Sequence, residues 1–450
     1  MQIIRYLKRM IDKDLIKWKN AASHKPVLLR GARQVGKSST VRELGKQFEY
    51  FAEVNFEKKE NEAVKVIFER SSSPHTLCNE LSAFLGVPIV AGRTLLFLDE
   101  IQKCIPAISS LRFFYEEMPD LHVVAAGSLL EFALEEVPSF GVGRISSKFM
   151  YPLSFDEFMR VMGFTALAEQ LSVASPNEPF SDVLHLKCKE LFLNFLLIGG
   201  MPEVVSKFSQ GGSFLDCQDI LEELTHTFYD DFAKYKTRIK TSLLREVFGS
   251  IIEQTGDKFT YSKASSNAVH AQIKESVDLL ERAGLVYPVT HTSANGLPLS
   301  SETNRKHRKY LILDTGLYQR YLKLDLGRIL TVDNIFQVNK GALAELFAGL
   351  ELRKSAPSGS TTELYYWQRE KQGSNAEVDY VVQQGERIVP VEVKAGTKGS
   401  MQSMYSFLEE KKYAYGIRCS MENFGIFRNI RIYPLYAAGK IAHNNNSMFG

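Results

Sequence analysis

The residues Gly31, Ala32, Arg33, Gln34, Val35, Gly36, Lys37 and Ser38 set two glycines, a lysine and a hydroxyl at the spacing of a phosphate-binding loop, and Ser39 continues it. Glycines let the backbone curl so that successive N–H groups face an anion, at the positive end of the helix that follows. Lys37 would reach the β- and γ-phosphates of a nucleotide, and Ser38 would offer its hydroxyl to Mg2+. Further along, Leu95, Leu96, Phe97 and Leu98 lead straight into Asp99 and Glu100. The first carboxylate would hold the magnesium shell and the second would polarise an attacking water, which makes Glu100 the expected general base. ATP and Mg2+ are the ligands this pair of motifs predicts.

Two more residues are candidates for the same chemistry. A third apolar run, residues 121–126, ends at Gly127 and Ser128. Ser128 reads either as a polar sensor of the γ-phosphate or as a helix N-cap. Arg144 reads as an arginine finger, as a second sensor of the γ-phosphate, or as an ordinary surface arginine.

A second constellation lies near the carboxyl end. Glu377, Val378 and Asp379 sit on one expected strand, and Glu392, Val393 and Lys394 on the next. Strand alternation puts Glu392 and Lys394 on one face, where a metal-binding acid and a water-orienting lysine could meet Asp379 of the neighbouring strand. An acid, a hairpin and then acid-x-lysine is the PD-(D/E)xK nuclease arrangement, with Glu345 supplying a further ligand from a helix. The same alternation also describes a half-exposed hairpin.

These side chains need elements to hold them. A short apolar strand at 26–29, the glycine loop and a helical run at 39–48 form the first unit of an α/β fold. Further strands are expected at 51–56, 94–98 and 121–126, with helices between, which implies a parallel sheet with right-handed crossovers. The strand 51–56 is expected to separate the two motif strands, the mark of ATPases that carry their own catalytic glutamate. Ile4, Leu7, Ile11, Leu15 and Trp18 recur at helical spacing and predict an opening amphipathic helix. Residues 155–240 read as helical, broken at Gly199, Gly200 and Pro202. Three short helices closed by an apolar strand, within 243–289, resemble a winged helix, which binds DNA in some proteins and only protein in others. Residues 293–309 read as a polar loop or wing, with Arg305, Lys306, His307, Arg308 and Lys309 as its one dense basic run. Strands are expected at 310–313, 363–368, 377–383 and 388–394, and helices from Thr315 and over 341–352. The domains expected are thus 1–155, 156–300 and 301–450.

Composition narrows the classes. At 450 residues the chain exceeds the length of one core, so two or three domains are expected. Hydrophobic residues at 44% and charged residues at 24% exclude a disordered chain, and a net charge of +3 gives no whole-protein pull toward nucleic acid. Five singly scattered cysteines, Cys78, Cys104, Cys188, Cys217 and Cys419, indicate neither a disulfide framework nor a zinc site. The charged opening stretch is no signal peptide and no apolar run reaches membrane length, so a cytoplasmic location without membrane contact is expected.

Taken together, these residues resemble a family of prokaryotic AAA-like ATPases whose carboxyl-terminal half is a domain of unknown function, DUF4143. The likeness runs over Leu28, Leu29 and Arg30 with the glycine loop, Leu98 to Gln102, and Gly127 with Ser128. It continues through Tyr151 to Phe155, Gly199 to Pro202, Asp314 to Leu317, Gly341 with Glu345, and the two acidic strands. It implies ATP binding, hydrolysis and a restriction-endonuclease-like carboxyl-terminal α/β fold. Val378 stands where the nuclease pattern has a proline before its first acid. Three readings follow: an ATP-driven enzyme acting on DNA or RNA, a nucleotide-gated switch that holds a protein partner with an inactive nuclease fold, and a metal-dependent nuclease regulated by ATP. Oligomerisation is compatible with all three.

Overall fold

The computed structural model describes residues 6–128, 130–136, 143–235, 239–324, 341–369, 376–397 and 399–442. The chain divides into two compact units. The first takes Met1–Pro152 with short returns at Arg282–Gly284 and Pro357–Thr361, and the second takes the rest.

In the first unit, β1 (Val27–Arg30), β2 (Tyr50–Asn55), β3 (Thr94–Asp99), β4 (His122–Ala126) and β5 (Ser146–Phe149) form a five-stranded sheet in the order β2-β3-β4-β1-β5. Every pairing is parallel. Helices cover both faces of such a sheet, so its central strands read as unbroken apolar runs, and every residue of β3 and β4 is buried. Leu96, Leu98, Val123 and Ala125 pack on Phe56, Phe68, Leu77 and Phe114.

Three details differ from expectation. The strand between β1 and β3 is β4, not the strand at 51–56, which lies outside β3 as an edge. Sequence order placed β2 between the motif strands, whereas the crossovers carry the chain past it. Residues 146–149 form the other edge strand, β5, from a segment that reads only as a change of texture. The opening helix spans Ile11–Lys19 and buries Ile11, Leu15 and Trp18. Leu7 precedes it and Ile4 lies outside the described residues. The preceding segment is held another way, because the Asp12 carboxylate accepts from the Arg9 amide at 2.9 Å and from the Tyr6 hydroxyl at 2.6 Å.

The second unit starts with helices. Ser154 caps helix Phe155–Val161 in a reciprocal box, its Oγ accepting from Glu157 N at 3.2 Å while Glu157 Oε2 accepts from Ser154 N at 2.9 Å. Phe192 and Phe195 of helix Asp182–Ile198 pack edge-on against Phe347 of helix Ala342–Lys354, with centroids 4.8 and 6.1 Å apart. Gly199 and Gly200 end helix Asp182–Ile198 against Asp314. Its Oδ2 accepts from Gly200 N at 2.6 Å, and its Oδ1 from Gly316 N and Leu317 N at 2.9 and 3.1 Å. A Cβ on Gly199 would stand 2.0 Å from Asp314 Oδ1, which explains the glycine.

Helices Thr241–Glu253, Tyr261–Ala264 and His270–Arg282 lead into β6 (Val286–Thr292) and β7 (Thr303–Ile312). With β8 (Leu364–Gln368), β9 (Glu377–Gln384), β10 (Arg387–Val393), β11 (Gly416–Ser420), β12 (Gly425–Phe427) and β13 (Ile430–Pro434) they make a mixed eight-stranded sheet in the order β12-β13-β11-β10-β9-β8-β6-β7. Helices Thr315–Tyr321 and Ala342–Lys354 and the β9–β10 hairpin fall where expected. Residues 303–309 are strand rather than loop, because β7 pairs antiparallel with β6 over most of its length. The expected boundary between residues 300 and 301 therefore falls inside one hairpin. All five cysteines are buried free thiols. Among the described residues no helix is long and apolar enough to cross a membrane.

Candidate nucleotide site and carboxylate cluster

The glycine loop turns from β1 into helix Lys37–Gly45, at the carboxyl ends of the parallel strands. Gly31 at φ +146° and Gly36 at φ +95° take backbone conformations that glycine alone adopts without strain. A Cβ on Gly31 would lie 2.2 Å from the Met150 carbonyl oxygen, so the loop is also pressed against β5's end. Gln34 holds φ +63° and is exposed, Val35 is fully buried, and Arg33 reaches Glu57 at 3.3 Å. The buried Lys37 ammonium donates to the Gly31 and Ala32 carbonyl oxygens at 2.9 and 2.7 Å. Burial lowers its pKa to about 8, against the pull of the Glu100 and Asp99 carboxylates. Ser39 is exposed on the first turn of the helix.

Parallel register brings the acidic strand to the same edge. Ser38 Oγ donates to Asp99 at 2.9 Å to Oδ2 and 3.1 Å to Oδ1, and Asn55 Nδ2 donates to Oδ2 at 3.0 Å. Burial raises the pKa of Asp99, with the Ser38 bond opposing. A hydroxyl and a carboxylate side by side are the oxygen donors a hard divalent cation takes, so Ser38 and Asp99 fit Mg2+. Glu100 follows in a left-handed conformation, φ +51°. Its Oε2 accepts from Gln102 Nε2 at 2.5 Å and from Ser128 Oγ at 3.3 Å. Lys37, Ser38, Asp99, Glu100 and Ser128 are thus brought together.

Arg144 is not. It pairs with Glu116 near the end of helix Ile105–Glu117, two residues before β5. β5 begins opposite Val27, at the start of β1, whereas the phosphate loop leaves β1 after Arg30. That span of strand is about 10 Å at ~3.3 Å per residue, which puts Arg144 at the edge of the sheet away from the loop.

Three residues hold this site in roles that motif reading does not give. Arg9 is buried and braces the loop from outside, donating to the Val35 carbonyl at 2.9 Å and the Tyr151 carbonyl at 2.7 Å. Asn55 faces Asp99 because the β2–β3 register pairs them. A polar residue ending a strand beside the acidic one was the available signal. Gln102 holds Glu100, and its slot exists because position 127 has no Cβ, which would lie 2.1 Å from Gln102 Oε1.

In the second unit the expected metal set is not assembled. Among the described residues no group of three His, Cys, Asp or Glu side chains could hold a metal ion. Glu345 Oε1 is 2.9 Å from the Lys309 ammonium, which also lies 2.5 Å from Glu377 Oε1. Asp379 Oδ2 accepts from Val393 N at 2.7 Å, and Glu392 Oε1 from Lys394 Nζ at 2.7 Å. The physical reason is local: each acid has taken a donor from the protein, and a lysine of the basic run has entered the cluster. Arg308 of the same run pairs with Glu281 at 3.1 Å, while Arg305 and Lys306 stay exposed.

Comparison with known proteins agrees with the first unit's architecture. Residues 23–159 match the family model described as AAA domain, 189–327 that of a domain of unknown function, DUF8612, and 340–438 that of DUF4143. No curated protein matches the chain. Among solved structures, the Walker-type ATPase of Pyrococcus abyssi is similar at 15% identity and a TM-score of 0.46, over 71% of this chain and 96% of that one. The Orc1 protein of Aeropyrum pernix, solved in complex with DNA, is similar at 11% identity and a TM-score of 0.30, over 72% and 94%. Cdc6p from Pyrobaculum aerophilum follows at 11% and 0.24, over 71% and 96%. The chain carries an AAA domain of the P-loop ATPase kind in its amino-terminal third and a DUF4143 domain at its carboxyl end.

Proposed function

We propose that this chain binds ATP with Mg2+ at the loop Gly31 to Ser38, hydrolyses it with Glu100 as general base, and uses the cycle to drive or switch its carboxyl-terminal half on nucleic acid. The observation that carries the reading is the Ser38 hydroxyl on the Asp99 carboxylate at 2.9 Å beside the buried Lys37 ammonium. Mg2+ held by Ser38 and Asp99 would neutralise charge on the β- and γ-phosphate oxygens. Backbone N–H groups from Gly31 to Ser38 would cradle the phosphates, Lys37 would exchange its loop carbonyls for phosphate oxygens, and Glu100 would take a proton from the attacking water. Ser128, bonded to Glu100, would report the γ-phosphate to the base.

The nucleic-acid part is supported by the three helices Thr241–Glu253, Tyr261–Ala264 and His270–Arg282, followed by the β6–β7 hairpin, which is the order of a winged helix. Lys263, His270, Gln272 and Lys274 are exposed on these helices, and Arg305 and Lys306 on the hairpin, where they can meet phosphates. Arg144 would reach a γ-phosphate only from a second subunit.

A second reading, a nucleotide-gated switch that holds a protein partner, is favoured by one observation: Glu345, Asp379 and Glu392 are each engaged by protein donors. The experiment is ATP turnover of the wild type, Lys37→Ala and Glu100→Gln, each with and without DNA or RNA. Turnover lost in both variants and raised by nucleic acid supports the first reading. ATP binding without turnover, unchanged by nucleic acid, supports the second and sinks the first.

A further inference from the structure

The carboxylate cluster of the eight-stranded sheet contains a side chain that the nuclease arrangement has no place for. Lys309 lies on β7, its side chain 2% exposed, with Nζ at 2.9 Å from Glu345 Oε1 and 2.5 Å from Glu377 Oε1. The ring of Tyr366 closes a further side, its centroid 5.3 Å from Nζ. Burial opposes the charge of this ammonium, but Glu345, Glu377 and Asp379 together outweigh it and hold Lys309 above the ordinary lysine range. A buried lysine is stable as a cation only where such partners surround it.

We propose that Lys309 is the resident cation of this cluster, standing where the nuclease arrangement would have a divalent metal, so that the carboxyl-terminal sheet is a metal-free scaffold rather than a phosphodiester-cleaving centre. The chemistry of the neighbours agrees. Glu345, the helix acid expected as a ligand, has its Oε1 on the lysine. Asp379 anchors the backbone of β10 through Val393 N, and Lys394 is bound to Glu392 Oε1 instead of being free to orient water.

Glu392 Oε2 is buried without a hydrogen-bond partner. A divalent ion beside Lys309 would meet a fixed positive charge on a buried side chain, where repulsion is screened less than in water. An ammonium also lacks the double charge and open coordination positions that let Mg2+ polarise a phosphate or acidify water.

The inference does not depend on ATP chemistry, and its test leaves the nucleotide site out. Full-length, nucleotide-free protein carrying Asp99→Asn is titrated with Mn2+, and free Mn2+ is followed by electron paramagnetic resonance. The expected result is no site tighter than about 1 mM, unchanged by adding Glu392→Gln or Glu345→Gln. Adding Lys309→Gln should create a site at least roughly tenfold tighter, lost again with Glu345→Gln. A site tighter than about 0.1 mM with Lys309 present, removed by Glu392→Gln, would overturn the proposal. So would a folded Lys309→Gln protein that gains no site. Should Lys309→Gln fail to fold, the titration with Lys309 in place still decides between resident lysine and metal.

Discussion

Replacing Gln102 by leucine keeps most of the side chain's volume and removes the donor that holds the general base. In the folded chain Gln102 Nε2 lies 2.5 Å from Glu100 Oε2, and Ser128 Oγ is a weaker second donor at 3.3 Å. A hydrogen bond to a charged carboxylate contributes about 1.5–3 kcal/mol, and each ~1.4 kcal/mol is a factor of ten in rate. If Gln102 fixes the orientation in which Glu100 meets the water, Gln102→Leu should lower kcat by about 10- to 100-fold while KM shifts less than about threefold. The assay is phosphate release by the wild type, Gln102→Leu, Glu100→Gln and the double variant. Because Gln102 is argued to act through Glu100, its loss should change turnover of the Glu100→Gln protein by less than about twofold. An equal fall in both backgrounds would refute the reasoning, since Gln102 would then be shaping the fold or the nucleotide pocket. Gly127→Ala should mimic Gln102→Leu, because the new methyl would displace the amide.

Three further outcomes follow from the same geometry. Burial depresses Lys37, so its charge is lost as pH rises through about 8. Calorimetry with a non-hydrolysable ATP analogue should show affinity falling about tenfold per pH unit above that point, and Lys37→Arg should flatten the profile. Burial likewise lowers His122 to about 4, so the folded state binds fewer protons than the unfolded one below the usual histidine range. The first unit should lose about 2 kcal/mol of stability between pH 7 and 5, read by denaturant titration, and His122→Phe should remove most of that dependence. Asp314→Ala removes the acceptor of three backbone N–H groups at once and should cost roughly 3 kcal/mol or more in the second unit, with ATP affinity of the first unchanged.

The phosphate loop and the acidic strand were legible because their chemistry demands residue types at fixed spacing, and Lys37, Ser38, Asp99 and Glu100 meet as that spacing implies. Arg9 was illegible for the opposite reason. Nothing in the local pattern of an opening segment says that its guanidinium will cap a carbonyl of residue 35. Strand order is not legible in sequence, because β2 precedes β3 along the chain while β4 lies between β1 and β3 in space, and a crossover's reach is not written in any one strand. Alternation did place Glu392 and Lys394 on one face, but pairing them with each other requires side-chain geometry that periodicity does not carry. The basic run misled most. Five consecutive polar residues look like solvated loop, yet β7 passes from exposed to buried along its length, so Arg305 and Lys306 stay in water while Lys309 is drawn into the sheet by acids far along the chain.

The hairpin of β6 and β7 limits where this chain can be divided. The DUF8612 segment ends at residue 327 and the DUF4143 segment begins at 340, so β6 and β7 belong to one and β8 to β13 to the other, although β8 bonds directly to β6. A fragment beginning after residue 327 would present the bare edge of β8, with its unpaired amides and carbonyls and the apolar Leu364, Tyr366 and Trp367, to any other strand in solution. It would also leave Glu345 and Glu377 with no lysine between them. A cut between the two segments is therefore expected to yield an aggregating sheet rather than a smaller domain.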